Sequence, residues 1–206
     1  MWDKVPTETP PCTRFLSALL FSLAFTSINL ISAARPATDK ASTEFIRTAC
    51  GTITYPQLCF TSLAAHASVI QTNPKLLAST ALSVTLSTAR STSSDMSTLL
   101  KRHGLTPREV SAMRDCVEEL SDSVDQLKKS MGEMSQIKSS NFGLIINDIQ
   151  TWVSAALTDE DTCANGFTEN AMTKNVRTVV NARIVNIAHM TSNALALINS
   201  YASLHH

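Results

Sequence analysis

Aromatic side chains are scarce, at 5% of the 206 residues, and the chain holds only five glycines and seven prolines. So little turn chemistry argues against a fold of many short strands, while abundant Ala, Leu, Ser and Thr favour helices. Net charge is absent too: seventeen Lys and Arg balance seventeen Asp and Glu. Apart from Lys128 and Lys129 there is no basic block to displace counterions, which excludes nucleic acid as a partner. No Asn-x-Ser/Thr acceptor for N-glycosylation occurs.

Catalytic signatures are equally thin. The histidines form no H-E-x-x-H set, so His66, His103 and His189 read as surface or packing residues, and His205 and His206 lie at the terminus. The Ser-rich "STARSTSSD" contains no G-x-S-x-G elbow, and no glycine-rich phosphate loop or dinucleotide fingerprint is present. Glu118 with Asp122, and Asp159 with Asp161, bring carboxylates together without any visible pKa-shifting neighbour. These gaps point away from an enzyme and imply no cofactor and no metal.

One long apolar run does exist. "FLSALLFSLAFTSINLI", Phe15 to Ile31, follows Lys4 and Arg14 and precedes Ser32, Ala33 and Ala34, the order of a secretory signal cut after Ala34. Ser17, Ser22, Thr26, Ser27 and Asn29 weaken the rival reading of an anchor helix. Residues 1–34 are thus expected to leave, Cys12 with them, and the mature chain is expected to keep no membrane segment. Cys50, Cys59, Cys116 and Cys163 remain, an even set that implies two disulfides in an oxidising compartment; counting cannot choose among three connectivities.

After a polar linker, 35–42, a single helical-bundle domain is expected over 43–206. Pro56 disfavours helix at Tyr55, so the spacing predicts two short helices meeting at a turn, with Cys50 on one and Cys59 on the other. A bridge between them would pin a hairpin. The next helix runs from about Pro74 to Lys101 on Leu82, Leu86, Ala89, Ser93, Met96 and Leu100, closed by Gly104. "TPRE", Thr106 to Glu109, opens another with a capping box, and Val110, Met113, Val117, Leu120, Val124, Leu127, Met131 and Met134 repeat at three and four. Asn141 precedes a third long helix with Ile145, Ile149, Trp152 and Ala156 inward. The fourth uses Val180, Ile184, Ile187, Ala194, Ile198 and Tyr201. The fold class expected is all-α: an antiparallel up-and-down four-helix bundle preceded by an N-terminal helical hairpin.

On a helical wheel Cys116 falls beside its seam, and Cys163 shares the side of Ile145 and Trp152, so both thiols can face the bundle. Asn147, Gln150, Thr151, Ser154 and Thr158 form an uncharged stripe on the outer face of the third helix. Such a stripe is cheap to desolvate and rich in hydrogen-bonding groups, which suits a polar cleft on another protein.

"TYPQLC", "DCVEELSDSVDQL", "QTWVSAALTDEDTCANGF" and "RIVNIAHMTSNALALINS", in that order from about Thr43 to Tyr201, resemble the plant family of invertase and pectin methylesterase inhibitors. The resemblance implies secreted four-helix bundles with an N-terminal hairpin, pairing Cys50 with Cys59 and Cys116 with Cys163. It also implies stoichiometric blocking of a carbohydrate enzyme in the cell wall, apoplast or vacuole, without catalysis. Invertase inhibitors of that family typically carry a Pro-Lys-Phe motif before the third bundle helix; here Ser140, Asn141 and Phe142 align with it. Pectin methylesterase is therefore the expected partner and acid invertase the alternative. The fold also occurs as the pro-region of pectin methylesterases, from which this chain differs by ending shortly after Tyr201.

Overall fold

A computed structural model of the chain describes residues 35–167 and 173–205, with side chains from Lys40 onward. The proposed signal segment 1–34, Cys12 included, lies outside the described residues. The larger compact unit runs from Ala41 to His206.

Helix α1, Arg35–Cys50, is followed after a turn by α2, Pro56–Leu63, a 3-10 turn at Ala64–His66 and the short α3, Ala67–Ile70. The stretch 35–42 expected as a linker is in fact the start of α1; Pro36 falls in its first turn, where a missing N–H costs nothing. Four long helices follow: α4, Pro74–Leu100; α5, Pro107–Met134; α6, Phe142–Asn165; and α7, Lys174–Ser203. Each packs on its chain neighbour, and α4 also packs on α7, which closes the four into an up-and-down bundle.

The helix starts follow from local chemistry. Asn73 caps α4 by accepting from the N–H groups of Lys75 and Leu76, and Pro74 takes the first helical position. Thr106 and Glu109 form the reciprocal capping box of α5. Gly104, at φ +98°, supplies the left-handed residue between these helices. Before α6, Ser139–Asn141 make one 3-10 turn, and Asn141 accepts from the backbone of Lys138 at 2.7 Å instead of capping α6 through its side chain.

The seams differ from the apolar pattern by one position in places. In α5 the buried series is Glu109, Met113, Cys116, Leu120, Ser123, Leu127, Ser130 and Met134. Val110, Val117, Val124 and Met131, expected inside, are only partly buried. In α6 the series is Ile146, Ile149, Val153, Ala156, Glu160 and Cys163, so Ile145 and Trp152 sit at the edge and not in the seam. Ser93 of α4 likewise yields to Thr92. The physical reason is a shared one: the position aimed most directly at the partner helices is buried whatever its polarity, and the apolar residue beside it packs into the flank of the groove. Trp152 shows this directly, lying in the α5–α6 groove with the Lys129 ammonium 4.5 Å over its ring and its indole N–H donating to Glu133 Oε1 at 3.3 Å. The inward positions of α7, from Val180 to Tyr201, are buried as the spacing predicts.

Two disulfides brace the fold. Cys50 joins Cys59, with Cα atoms 5.6 Å apart, and Cys116 joins Cys163 at 4.4 Å; all four are buried. The first closes the α1–α2 hairpin and the second ties α5 to α6. By loop entropy they are worth about 3 and about 4 kcal/mol respectively. The hairpin also docks through polar groups: Asn193 of α7 accepts from the Tyr55 N–H at 3.2 Å and donates to the Tyr55 carbonyl at 3.0 Å. His189, one turn earlier, stacks on the Tyr55 ring at 3.7 Å, which makes it a packing histidine.

Candidate functional site

Asn147, Thr151, Ser154 and Thr158 are exposed along α6 and Gln150 is half-buried, all on the side away from the Ile146–Cys163 seam. Two of the stripe's hydroxyls, and a third just beyond it, are committed. Thr151 donates to the Asn147 carbonyl at 2.9 Å, Thr158 to that of Ser154 at 3.0 Å, and Thr162, one turn on, to that of Thr158 at 2.8 Å. With each proton turned back into the helix, the outward oxygen lone pairs remain as acceptors, so the surface suits a partner that presents donors. Gln150 reaches across to α7 and donates to Asn199 Oδ1 at 2.8 Å, which extends the stripe onto a second helix. Asn199 was not among the expected residues; it stands on an outward position of α7, where sequence alone gives no pairing signal.

Two buried carboxyl groups, one at the starts of α5 and α7 and one in the α6 seam, stand in opposite electrostatic settings. Glu109, fully shielded, accepts from Thr106 through N–H and hydroxyl at 2.9 and 3.0 Å, and from Thr173 through N–H and hydroxyl at 2.8 and 2.7 Å. Those donors, the Thr106 backbone first, hold its pKa down at about 2. Because Thr173 precedes α7, one carboxylate caps two helices at once. The sequence identifies the first of these roles through the capping box but not the second, which depends on the return of a residue 64 positions away.

Glu160 is the reverse case. It lies within the α6 seam, fully buried, with Ser123 of α5 donating to Oε1 at 2.7 Å and Thr191 of α7 facing it. Among the described residues Oε2 and the Thr191 hydroxyl close no hydrogen bond of good geometry, although Thr191 lies near enough to favour the carboxylate. Burial pushes its pKa up to about 7, against the hydrogen bonds and with the help of Asp161 and Asp159. Nearby, burial also raises Asp159, and burial followed by repulsion from Asp159 and Asp122 raises Glu119. Among the described residues none of these carboxyl groups is recorded in a hydrogen bond with a histidine. Among the described residues no cluster of three or more His, Cys, Asp or Glu side chains could hold a metal, and no helix is long and apolar enough to cross a membrane.

The chain matches the model of the family described as plant invertase/pectin methylesterase inhibitor over residues 44–197. It is 42% identical over 187 residues to the carrot "21 kDa protein", covering 89% of this chain and 96% of that one. It is 41% identical to pectinesterase inhibitor 11 of Arabidopsis thaliana, over 91% of this chain and 96% of the relative. With pectinesterase inhibitor 10 of the same plant it shares 43% identity over 80% of this chain and 53% of the relative. A crystal structure of a mutant pectin methylesterase inhibitor from Arabidopsis shares the fold, at TM-score 0.60 and 24% identity, covering 75% of this chain and 95% of that one.

Proposed function

The chain belongs to the plant invertase/pectin methylesterase inhibitor family, and from that premise we propose that it inhibits a pectin methylesterase by binding it stoichiometrically and covering its pectin-binding cleft. The observation that carries this reading is the run of relatives named pectinesterase inhibitors, at 38 to 43% identity over most of the chain. A non-catalytic bundle braced by two disulfides supports it, since a preformed surface loses less conformational entropy on association. Acid invertase is the less favoured target: Ser140, Asn141 and Phe142 stand where the Pro-Lys-Phe motif aligns, and the first two belong to a 3-10 turn ahead of α6.

The contact surface in this reading is the α6 stripe of Asn147, Gln150, Thr151, Ser154 and Thr158, extended by Asn199. Residues 1–34 serve as a signal that is removed, and the mature protein acts in the extracellular space, at the apoplast and cell wall. Titrating the oxidised protein against pectin methylesterase and acid invertase tests the target: saturable loss of methylesterase activity is expected, and loss of invertase activity alone overturns the assignment. Thr151→Arg and Ser154→Arg test the surface. Both positions are exposed, so helical content should persist while inhibition falls at least tenfold; unchanged inhibition removes the stripe from the interface.

A further inference from the structure

The bundle end opposite the Cys116–Cys163 bridge carries a cavity of about 330 Å³ that the inhibitory surface does not use. Lys75 at the start of α4, Lys138 and Ser139 before α6, Phe142 at its first residue, and Tyr201 and His205 at the end of the chain line it. Its three rings form one cluster. Phe142 meets Tyr201 edge-on with centroids 5.6 Å apart, and His205 lies 4.3 Å from Phe142 and 5.1 Å from Tyr201. Tyr201 is buried as a residue and borders the cavity.

Among the described residues the charge lining these rings is of one sign. Lys75 is half-buried and Lys138 exposed, and among those residues neither forms an ion pair and no carboxylate side chain lines the cavity. Two ammonium groups without counter-ions favour an anion, while a phosphate or sulfate, polar all round, would leave the rings without a partner. A carboxylated sugar ring satisfies both: the carboxylate meets the lysines, the C–H face lies on the aromatic cluster, and ring hydroxyls reach Ser139 and the Tyr201 phenol. The volume is near the lower end of ordinary ligand sites, about 300–1,000 Å³, which limits the occupant to about one or two such rings.

We propose that this cavity binds a carboxylated pyranose, as found at the free-acid residues of a galacturonan. The choice of sugar rests on the inhibitory reading above, because hydrolysis of a pectin methyl ester leaves that carboxylate on the polymer. Holding the de-esterified chain would keep the inhibitor beside the wall region where its target enzyme has acted.

The test needs no enzyme: trigalacturonate is titrated into the oxidised protein at about pH 5.5 while affinity is followed by calorimetry and location by amide shifts. Saturable binding is expected, with shifts confined to 137–142, 201–205 and the start of α4. The double variant Lys75→Glu with Lys138→Glu should weaken it at least tenfold with circular dichroism unchanged, and the fully methyl-esterified trimer should bind at least tenfold more weakly. No saturation, shifts elsewhere, or equal binding of the ester overturns the proposal. Citrate binding as tightly as the trimer overturns the sugar assignment in particular. Methylesterase inhibition measured on the same double variant is expected to persist, so failure of this site and failure of the inhibitory reading are read in separate assays.

Discussion

Replacing Glu160 with glutamine removes one titration from the centre of the bundle and should change how stability depends on pH. In the folded protein this carboxyl has a pKa raised from 4.5 to about 7 by burial. Between those values the folded state therefore binds a proton that the unfolded state has released, and stability falls as pH rises. The favourable contribution is fully present below about pH 4.5 and is lost as pH climbs through about 7. The difference corresponds to about 3 kcal/mol across that window, a large share of a small domain's stability. Glutamine keeps an acceptor for Ser123 and offers a donor toward Thr191, so the variant retains the polar layer without the charge.

Urea unfolding of both proteins at several pH values between about 4.5 and 8 measures the effect. Asp159 and Glu119 also have raised pKa values and give both proteins a slope of the same sign, so the comparison isolates Glu160. The variant should match the parent near pH 4.5 and exceed it by about 2–3 kcal/mol above pH 7. Parallel curves would refute the reasoning: either water reaches the carboxylate when it ionises, or Ser123 and Thr191 rearrange to hold the charge at no cost.

Three further outcomes are expected. Cys116→Ala with Cys163→Ala should lower stability by about 4 kcal/mol in urea unfolding, and reduction should add nothing to that loss at this bridge. Glu109→Ala removes the shared cap of α5 and α7 and should cost about 2 kcal/mol, with hydrogen exchange accelerating at the starts of both helices and not at one alone. Leu120→Ala, at a fully buried position where α5 faces the Cys163 side of the core, should cost about 2–5 kcal/mol by calorimetry with the fold intact.

Four helices, their order and the starts of the first three were legible because the capping residues and the three-four spacing are local signals: Thr106, Pro107 and Glu109 open α5 as the chain chemistry requires, whereas nothing local marked the start of α7 at Lys174. The register inside the seams was not. A rule that sends apolar residues inward selects Val117, Val124 and Trp152, whereas the bundle buries Cys116, Ser123 and Val153. Since positions one residue apart differ by about 100° on the wheel, both sets fall on the same broad half of each helix, and only the close approach of the partner decides between them. The same ambiguity hid Glu160, because a carboxyl within "LTDEDTC" reads as solvated until its neighbours at Ser123 and Thr191 are known. The outward placement of Asn147, Thr151, Ser154 and Thr158 was legible, as uncharged polar residues at helical spacing need no partner to be recognised, whereas the link from Gln150 to Asn199 depends on the packing of α7.

Glu109 and Glu160 together define the acidity at which this fold is most at ease. Glu109 has a lowered pKa, so its contribution is present above the ordinary carboxyl range, about 4.5, and is lost as pH falls through about 2. Glu160 runs the other way and loses its contribution as pH rises through about 7. Their joint contribution is therefore greatest near about pH 4.5, where the Glu109 part has reached its full size and the Glu160 part begins to fall. Removing either group should therefore move the stability optimum in a defined direction. Glu160→Gln extends the optimum toward neutral pH, whereas Glu109→Gln extends it toward acid at lower overall stability, because the amide keeps one acceptor but turns an N–H₂ against the threonine donors. A pair of variants that shifted the optimum the same way would show that titrations elsewhere, such as the Glu119–Asp159 patch, control the acid and alkaline limbs instead.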